Sequence, residues 1–128
     1  MRKNDIMSNF NILIIEDDKI LNQQLTELLT LKGYQVEQCF DGETGLLKAS
    51  SQQHHLILLD VMLPERDGFS LLKVLRKSSK TPVIIVTAKN AEQERIQGFS
   101  QGADDYVSKP FSSVELILRI EAILRRSH

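Results

Sequence analysis

The sequence predicts one α/β domain in which five parallel strands alternate with five helices. Apolar runs without polar alternation, at residues 12–15, 56–59 and 83–86, are typical of strands covered on both faces. Between these runs, apolar residues recur at helical spacing, and turn residues such as Gly33 and Pro82 separate the segments. Strands that alternate with helices predict a doubly wound parallel sheet, (βα)5, with helices on both faces.

The first two strands and helices are predicted from residues 11 to 50. A strand over 11–15 ends in three acids, of which Asp18 is interpreted as the cap of the next helix. That helix, over 19–32, stops before Gly33. Its apolar face consists of Leu21, Leu25, Leu28 and Leu29. The mixed polarity of residues 34–40 predicts an edge strand, and a short helix over 44–50 follows a turn.

The second half of the chain continues the alternation. The strand over 56–59 runs into Asp60, and Asp67-Gly68 begins a third helix. The inward residues of this helix are predicted to be Phe69, Leu71, Leu72 and Leu75. Strands over 83–87 and 105–108 enclose a helix over 91–101, whose few apolar anchors are chiefly Ile96 and Phe99. Ser112 or Ser113 is predicted to cap a last helix that runs to about Arg125, with Glu115 placed for a capping box from Ser112.

Composition narrows the class of protein. The 128 residues suit one domain, and 16 basic against 17 acidic residues give a net charge of −1, which argues against nucleic-acid binding through a basic face. One cysteine, Cys39, excludes an internal disulfide and fits a reducing cytoplasm. The apolar runs are too short to cross a membrane, so a cytoplasmic location is expected. Residues 1–9 are predicted to be a polar lead-in, and residues 10–126 the folded domain.

Polar groups that suit phosphoryl chemistry follow four of the predicted strands. In a parallel sheet the carboxyl ends of the strands lie at one edge, where ligands bind, so these groups are expected to converge. They are Glu16 and Asp17, Asp60, Thr87, and Lys109. Neighbouring carboxylates repel one another, and Mg²⁺ relieves this repulsion. Acids for a metal, a carboxylate nucleophile, a lysine and a hydroxyl together predict a phosphoryl-transfer site.

The same residues resemble the receiver domain of two-component response regulators, over about residues 10–126. The motifs that carry the resemblance are Glu16-Asp17, Asp60 with Met62 and Pro64, Thr87-Ala88, and Tyr106 with Lys109-Pro110-Phe111. The resemblance implies a flavodoxin-like sheet of order 2-1-3-4-5. It also implies that Asp60 accepts a phosphoryl group from the phosphohistidine of a sensor histidine kinase.

The family pattern further implies a role for each site residue. Asp17, Asp60 and the backbone carbonyl of Met62 would bind Mg²⁺ directly, and Glu16 would bind it through water. Lys109 would pair with the phosphoryl oxygens, the Thr87 hydroxyl would move to meet them, and Tyr106 would swing inward behind Thr87. The peptide bond between Lys109 and Pro110 is expected to be cis.

The last helix points to a subfamily. Besides the inward stripe of Leu116, Ile117, Ile120, Ile123 and Leu124, it carries a second apolar stripe of Val114, Leu118 and Ala122. The charges around this stripe, on Arg95, Asp104, Asp105, Glu115 and Arg119, resemble the dimerising face of the OmpR/PhoB class, whose members attach a DNA-binding domain after the receiver. The resemblance implies that Arg95 pairs with Glu115, and Asp105 with Arg119, across a two-fold axis. Ser100 and Glu121 depart from the pattern of that class.

Other interpretations stay open at this point. A stand-alone receiver would act through protein contacts, without an output domain. A nucleotide- or flavin-binding domain of the same topology would need a glycine-rich phosphate loop after the first strand, where this chain has three acids. An acyl-phosphate hydrolase would need an acid two residues after Asp60, and Met62 stands there. The expected output is transcriptional control by a phosphorylated dimer, with no enzymatic activity beyond self-phosphorylation and autodephosphorylation.

Overall fold

The computed structural model describes residues 9–128 and shows the alternation of strands and helices that the sequence predicts. The predicted lead-in lies outside the described residues, apart from Asn9. The strands are β1 (Asn11–Ile15), β2 (Gln35–Cys39), β3 (Leu56–Leu59), β4 (Val83–Thr87) and β5 (Asp105–Ser108). The helices are α1 (Lys19–Leu31), α2 (Gly42–Ala49), α3 (Gly68–Leu75), α4 (Glu92–Ser100) and α5 (Ser113–Ser127).

The five strands form one parallel sheet of order β2-β1-β3-β4-β5, which confirms the predicted fold. Helices α1 and α5 pack on one face of the sheet, and α2 and α3 pack on the other. Every residue of β3 and β4 is buried, because both faces of these central strands are covered. Strand β2 lies at an edge and is mostly half-buried, as its mixed polarity predicts.

Side chains at the helix ends agree with the sequence prediction. Asp18 accepts hydrogen bonds from the backbone N–H groups of Ile20 and Leu21, both at 3.1 Å, and so caps α1. Gly33 follows α1 with a φ of 99°, a conformation that favours glycine. Ser112 caps α5 by accepting from the backbone N–H of Glu115. The Lys109–Pro110 peptide bond is cis, as expected.

Helix α4 is anchored differently from the prediction. Ile96 and Phe99, the expected apolar anchors, are 60% and 45% exposed and do not hold the helix on the sheet. Instead the buried residue of α4 is Gly98, where a Cβ atom would lie 2.9 Å from the Tyr106 ring and 3.0 Å from Ile85. The small residue permits close approach of α4 to β4 and β5. Two large apolar side chains are thereby left on the surface.

No helix among residues 9–128 combines the length and the apolar character needed to cross a membrane.

Candidate functional site

The acidic side chains predicted to converge do meet at the carboxyl edge of the sheet. Glu16 follows β1 and Asp60 follows β3, and these two neighbouring strands are paired up to Ile15 and Leu59. One carboxylate oxygen from each of Glu16, Asp17 and Asp60 lies within 4.8 Å of the others. Glu16 and Asp60 are 3% and 5% exposed, whereas Asp17 faces solvent. Hence two of the three acids are buried, and Asp17 borders the solvent.

Lys109 supplies the positive charge of the site. Its Nζ donates to Glu16 Oε1 at 2.6 Å and to Asp60 Oδ2 at 2.7 Å. The other carboxylate oxygen of Asp60, Oδ1, accepts from the backbone N–H of Met62 at 2.9 Å, and the Thr87 hydroxyl also hydrogen-bonds to this carboxylate. Thus four strand ends that are distant in sequence, carrying Glu16, Asp60, Thr87 and Lys109, meet at this edge of the sheet.

The two buried acids, Glu16 and Asp60, have pKa values shifted in opposite directions. Burial, together with the charge of Asp60, raises the pKa of Glu16 to about 7, although Lys109 opposes this shift. Burial also acts to raise the pKa of Asp60, but hydrogen bonds from Lys109, Met62 and Thr87 outweigh it and hold that pKa below its ordinary value. Burial acts to lower the pKa of Lys109, but its bonds to Asp60 and Glu16 outweigh burial and raise that pKa. Asp60 is therefore ionised at neutral pH and available as a nucleophile.

The donor set fits a hard divalent cation. Three carboxylates share one lysine, so the cluster carries excess negative charge, and all the side-chain ligands are oxygens, which Mg²⁺ prefers. An open groove of about 480 Å³ lies beside the cluster, lined by Asp17, Met62, Arg66 and Lys89 among other residues. A metal with its waters and a phosphoryl donor can reach the cluster from this side.

The two residues that are expected to switch, Thr87 and Tyr106, are both buried. Thr87 is fully buried and reaches Asp60, and Tyr106 is 2% exposed, with its hydroxyl donating to the backbone carbonyl of Lys89. The guanidinium of Arg95 lies 5.4 Å from the centroid of the Tyr106 ring, at cation–π distance. The Tyr106 ring is therefore held by contacts with Gly98 and Arg95 of α4 and by the hydrogen bond from its hydroxyl to Lys89, and its role as a switch stays a prediction.

The charged residues assigned to a dimer face make their contacts within the chain. Arg119 binds both carboxylate oxygens of Asp105, at 3.0 and 2.9 Å, and also Glu115 at 2.8 Å. Asp104 accepts from Arg76 at 3.1 Å and from the backbone N–H of Val83 at 2.9 Å. The Asp105–Arg119 pair that the resemblance places between two chains therefore exists inside one chain.

Two residues that the sequence analysis did not assign to the site, Asn22 and Gly68, lie close to it, and a third, Arg76, joins loops at the opposite edge of the sheet. Asn22 is fully buried in α1 and contacts the backbone of Glu16. Gly68 approaches the chain just after Asp60 so closely that a Cβ would lie 2.4 Å from the Cα of Val61. Arg76 donates to the carbonyls of Ser79, Thr81 and Gly102. Of the three, only Asn22 could have been noticed in the sequence, because it is a polar residue at helical spacing with the buried Leu25 and Leu29.

The structure is a parallel α/β domain with an acid cluster, a lysine and a threonine at one edge of the sheet. This combination is typical of one class of protein, the phosphoryl-accepting signalling domains. The family model described as "Response regulator receiver domain" matches residues 12–121. The chain belongs to this family, and the predicted resemblance is confirmed.

Known proteins agree with this assignment. The chain is 44% identical over 134 residues to the transcriptional activator protein PfeR of Pseudomonas aeruginosa, a match that covers 97% of this chain and 44% of PfeR. It is 47% identical over 117 residues to the transcriptional regulatory protein CpxR of Escherichia coli, covering 91% of this chain and 50% of CpxR. It therefore spans about half the length of the curated relatives it matches. Their names describe transcriptional regulators, in agreement with the predicted resemblance to the OmpR/PhoB class.

A solved structure gives the same assignment for the fold. The receiver domain of the Francisella response regulator 1452 superposes with a TM-score of 0.89 at 37% identity. The superposition covers 94% of this chain and 100% of that domain.

Proposed function

We propose that this receiver domain is a phosphoacceptor switch in which Asp60 takes a phosphoryl group from the phosphohistidine of a sensor histidine kinase. The observation that carries this proposal is the state of Asp60: a carboxylate 5% exposed, kept ionised by Lys109, Met62 and Thr87. A buried carboxylate with a lowered pKa beside an open groove suits nucleophilic attack on phosphorus.

In this proposal an oxygen of Asp60 attacks the phosphorus of the donor. The P–O bond to Asp60 forms as the P–N bond to the donor histidine breaks, and the imidazole leaves with the bonding electron pair. Mg²⁺, held by Asp17, Asp60 and the Met62 carbonyl and by Glu16 through water, would neutralise charge on the phosphoryl oxygens. Lys109 Nζ, now 2.7 Å from Asp60, supplies a second positive charge, and the Thr87 hydroxyl supplies a hydrogen bond.

The chemistry is tested with acetyl phosphate and Mg²⁺, followed by intact-mass spectrometry. One phosphoryl group is expected on the wild-type chain and none on Asp60→Asn. Asp41→Asn is the matched control, because Asp41 caps α2 and is not one of the three acids of the cluster, and asparagine caps equally well. Labelling that persists in Asp60→Asn would place the nucleophile elsewhere and refute the assignment.

We further propose that phosphorylation drives a symmetric dimer through residues 91–125. In support of this proposal, the apolar side chains of Ile96 and Phe99 are exposed on α4, and Arg119 carries ion pairs on α5. Such an apolar centre with a charged rim suits a dimer interface. Leu118 is also exposed, but it lines a groove between α5 and Leu28 of α1. The expected face contains Arg95, Asp104, Asp105, Glu115, Leu118, Arg119 and Ala122. Because Arg119 already binds Asp105 and Glu115 in one chain, dimer formation would exchange these pairs between chains.

Sedimentation with and without beryllofluoride and Mg²⁺ tests the dimer, since beryllofluoride mimics the acyl phosphate. The activated wild type is expected to shift towards dimer, and Arg119→Ala is expected to shift less. Lys48→Ala is a suitable control, because Lys48 pairs with Glu37 of β2, the edge strand farthest from β5 in the sheet. An unchanged monomer, or an equally strong Arg119→Ala dimer, would contradict the proposed face.

Control of transcription through an attached DNA-binding domain is the output that we infer from the names of the relatives. The alternative is a stand-alone receiver that acts by protein contacts. In this proposal the reactions of the chain are its own phosphorylation at Asp60 from a phosphodonor and autodephosphorylation. The cytoplasmic location expected from the sequence stays a prediction.

A further inference from the structure

A buried asparagine joins the acidic loop to the neighbouring strand. Asn22 lies in the first turns of α1, is fully buried, and shares the inward stripe with Leu25 and Leu29. Its Nδ2 donates to the backbone carbonyls of Glu16 and Cys39, at 3.0 Å each. Its Oδ1 accepts from Gln38 Nε2 at 3.0 Å. The amide therefore uses both of its N–H groups and its carbonyl oxygen.

The orientation of this amide follows from its neighbours. Two carbonyl oxygens face one end of the Asn22 side chain, and an N–H donor from Gln38 faces the other. If the amide were reversed, Asn22 Oδ1 would face the carbonyl oxygens of Glu16 and Cys39, and three acceptors would meet without a donor. A buried side chain with all of its polar atoms paired holds its neighbours in one arrangement.

Asn22 completes a ring of hydrogen bonds around Glu16. The backbone N–H of Glu16 donates to the carbonyl of Cys39 at 3.0 Å, and that carbonyl also accepts from Asn22. The carbonyl of Glu16 accepts from the same Asn22 amide. Both polar backbone groups of Glu16 are therefore tied to the end of β2, one directly and one through Asn22.

This ring restrains the ligand-bearing residue that follows. The backbone N–H of Asp18 donates to Glu16 Oε2 at 3.1 Å, and Asp18 in turn caps α1. Asp17 thus lies between two residues whose backbones are held in place, and its carboxylate points towards the cluster with Asp60. The exposed carboxylate gains its direction from buried neighbours.

We propose that Asn22 is a positioning residue for the Mg²⁺ site, setting the β1–α1 loop so that Asp17 and Glu16 stand at ligand distance from Asp60. This inference rests on the proposed function, because it requires that the acid cluster bind Mg²⁺. Residues that orient metal ligands without touching the metal commonly change metal affinity about 10- to 100-fold when substituted. Asn22 is expected to act in this way through the backbone of Glu16.

The test compares the two ends of the same amide. Asn22→Ala removes the donors to Glu16 and Cys39. Gln38→Ala leaves both donors in place and removes the Gln38 bonds to Asn22 Oδ1 and Gln23, while Thr26 still donates to Asn22 Oδ1 at 3.4 Å. Mg²⁺ alone is titrated into each variant and followed by backbone amide NMR, and the midpoint of thermal unfolding is measured in chelator. Asn22→Ala is expected to weaken Mg²⁺ binding about tenfold, and Gln38→Ala by less than about twofold. Asn22→Ser, whose hydroxyl keeps one donor, replaces Asn22→Ala if the latter does not fold.

The outcomes separate this inference from the proposed function. If Asn22→Ala lowers thermal stability but binds Mg²⁺ within twofold of wild type, Asn22 is only a structural residue and the inference is wrong. Equal weakening by Gln38→Ala would also overturn it, because the effect would then be general loosening. If wild type itself binds no Mg²⁺, or Asp60→Asn binds it equally well, the proposed metal site fails instead.

Discussion

Replacing Glu16 by glutamine is expected to make the stability of the metal-free protein much less dependent on pH. Glu16 is 3% exposed, and burial raises its pKa from 4.5 to about 7. Folding therefore favours the protonated carboxyl, and ionisation of Glu16 costs stability. Glutamine resembles the protonated acid in shape and never ionises.

The sign and size of the effect follow from linkage. Because the folded pKa is above the unfolded value, the stability that protonated Glu16 contributes is fully present below pH 4.5 and is lost as the pH rises through 7. Between pH 5 and pH 8 this loss amounts to about 2 kcal/mol, since one pKa unit corresponds to about 1.4 kcal/mol. Asp60 contributes little in this window, because its pKa is shifted downwards.

Urea unfolding in chelator at pH 5, 6, 7 and 8 measures the difference between the two proteins. The free energy of unfolding of Glu16→Gln is expected to increase relative to that of wild type as the pH rises, by about 2 kcal/mol over this range. Taking the difference cancels titration of groups common to both, and Glu27→Gln, an exposed change on α1, should track wild type. Parallel loss of stability in wild type and Glu16→Gln would refute the reasoning. Adding Mg²⁺ should stabilise wild type at pH 8 more than Glu16→Gln.

Three further predictions follow from close contacts and burial. Gly68→Ala should lower the free energy of unfolding by at least about 2 kcal/mol in urea titrations, because its Cβ would lie 2.4 Å from backbone at Val61; an unchanged midpoint would contradict that contact. Arg76→Ala should cost about 2–4 kcal/mol in the same assay, since it removes the donor to three carbonyls and the ion pair with Asp104, and a loss below about 0.5 kcal/mol would argue that these contacts do not stabilise the fold. Cys39, buried with its pKa raised to about 11, should react with iodoacetamide at pH 8 at least about 100-fold more slowly than free cysteine until the protein unfolds.

The sequence predicted the elements of this fold because their signals are local. Unbroken apolar runs identified β3 and β4, and helical spacing identified the buried stripe of α5, from Leu116 to Leu124. The expected N-caps at Asp18 and Ser112 depend on residues no more than three positions away, and both are present. The predicted convergence of strand-end groups needed only the assumption of a parallel sheet.

Other features needed the tertiary structure, because they depend on which distant residue lies opposite. Ile96 and Phe99 have the composition of anchors, yet a glycine at position 98 lets the Tyr106 ring take the contact with α4. Likewise the sequence shows Asp105 and Arg119 as charges 14 positions apart, and the packing of α5 beside β5 pairs them within the chain.

The candidate site shows the same division. By itself the sequence predicted which residues would carry the chemistry, because Asp17, Asp60, Thr87 and Lys109 each stand at or just after the end of a predicted strand. Only the folded chain decided how they are held. Two parallel strands bring the carbonyls of Glu16 and Cys39 together, and a single amide from α1 can bind both. Such a contact involves three segments at once, so no local pattern in the sequence encodes it.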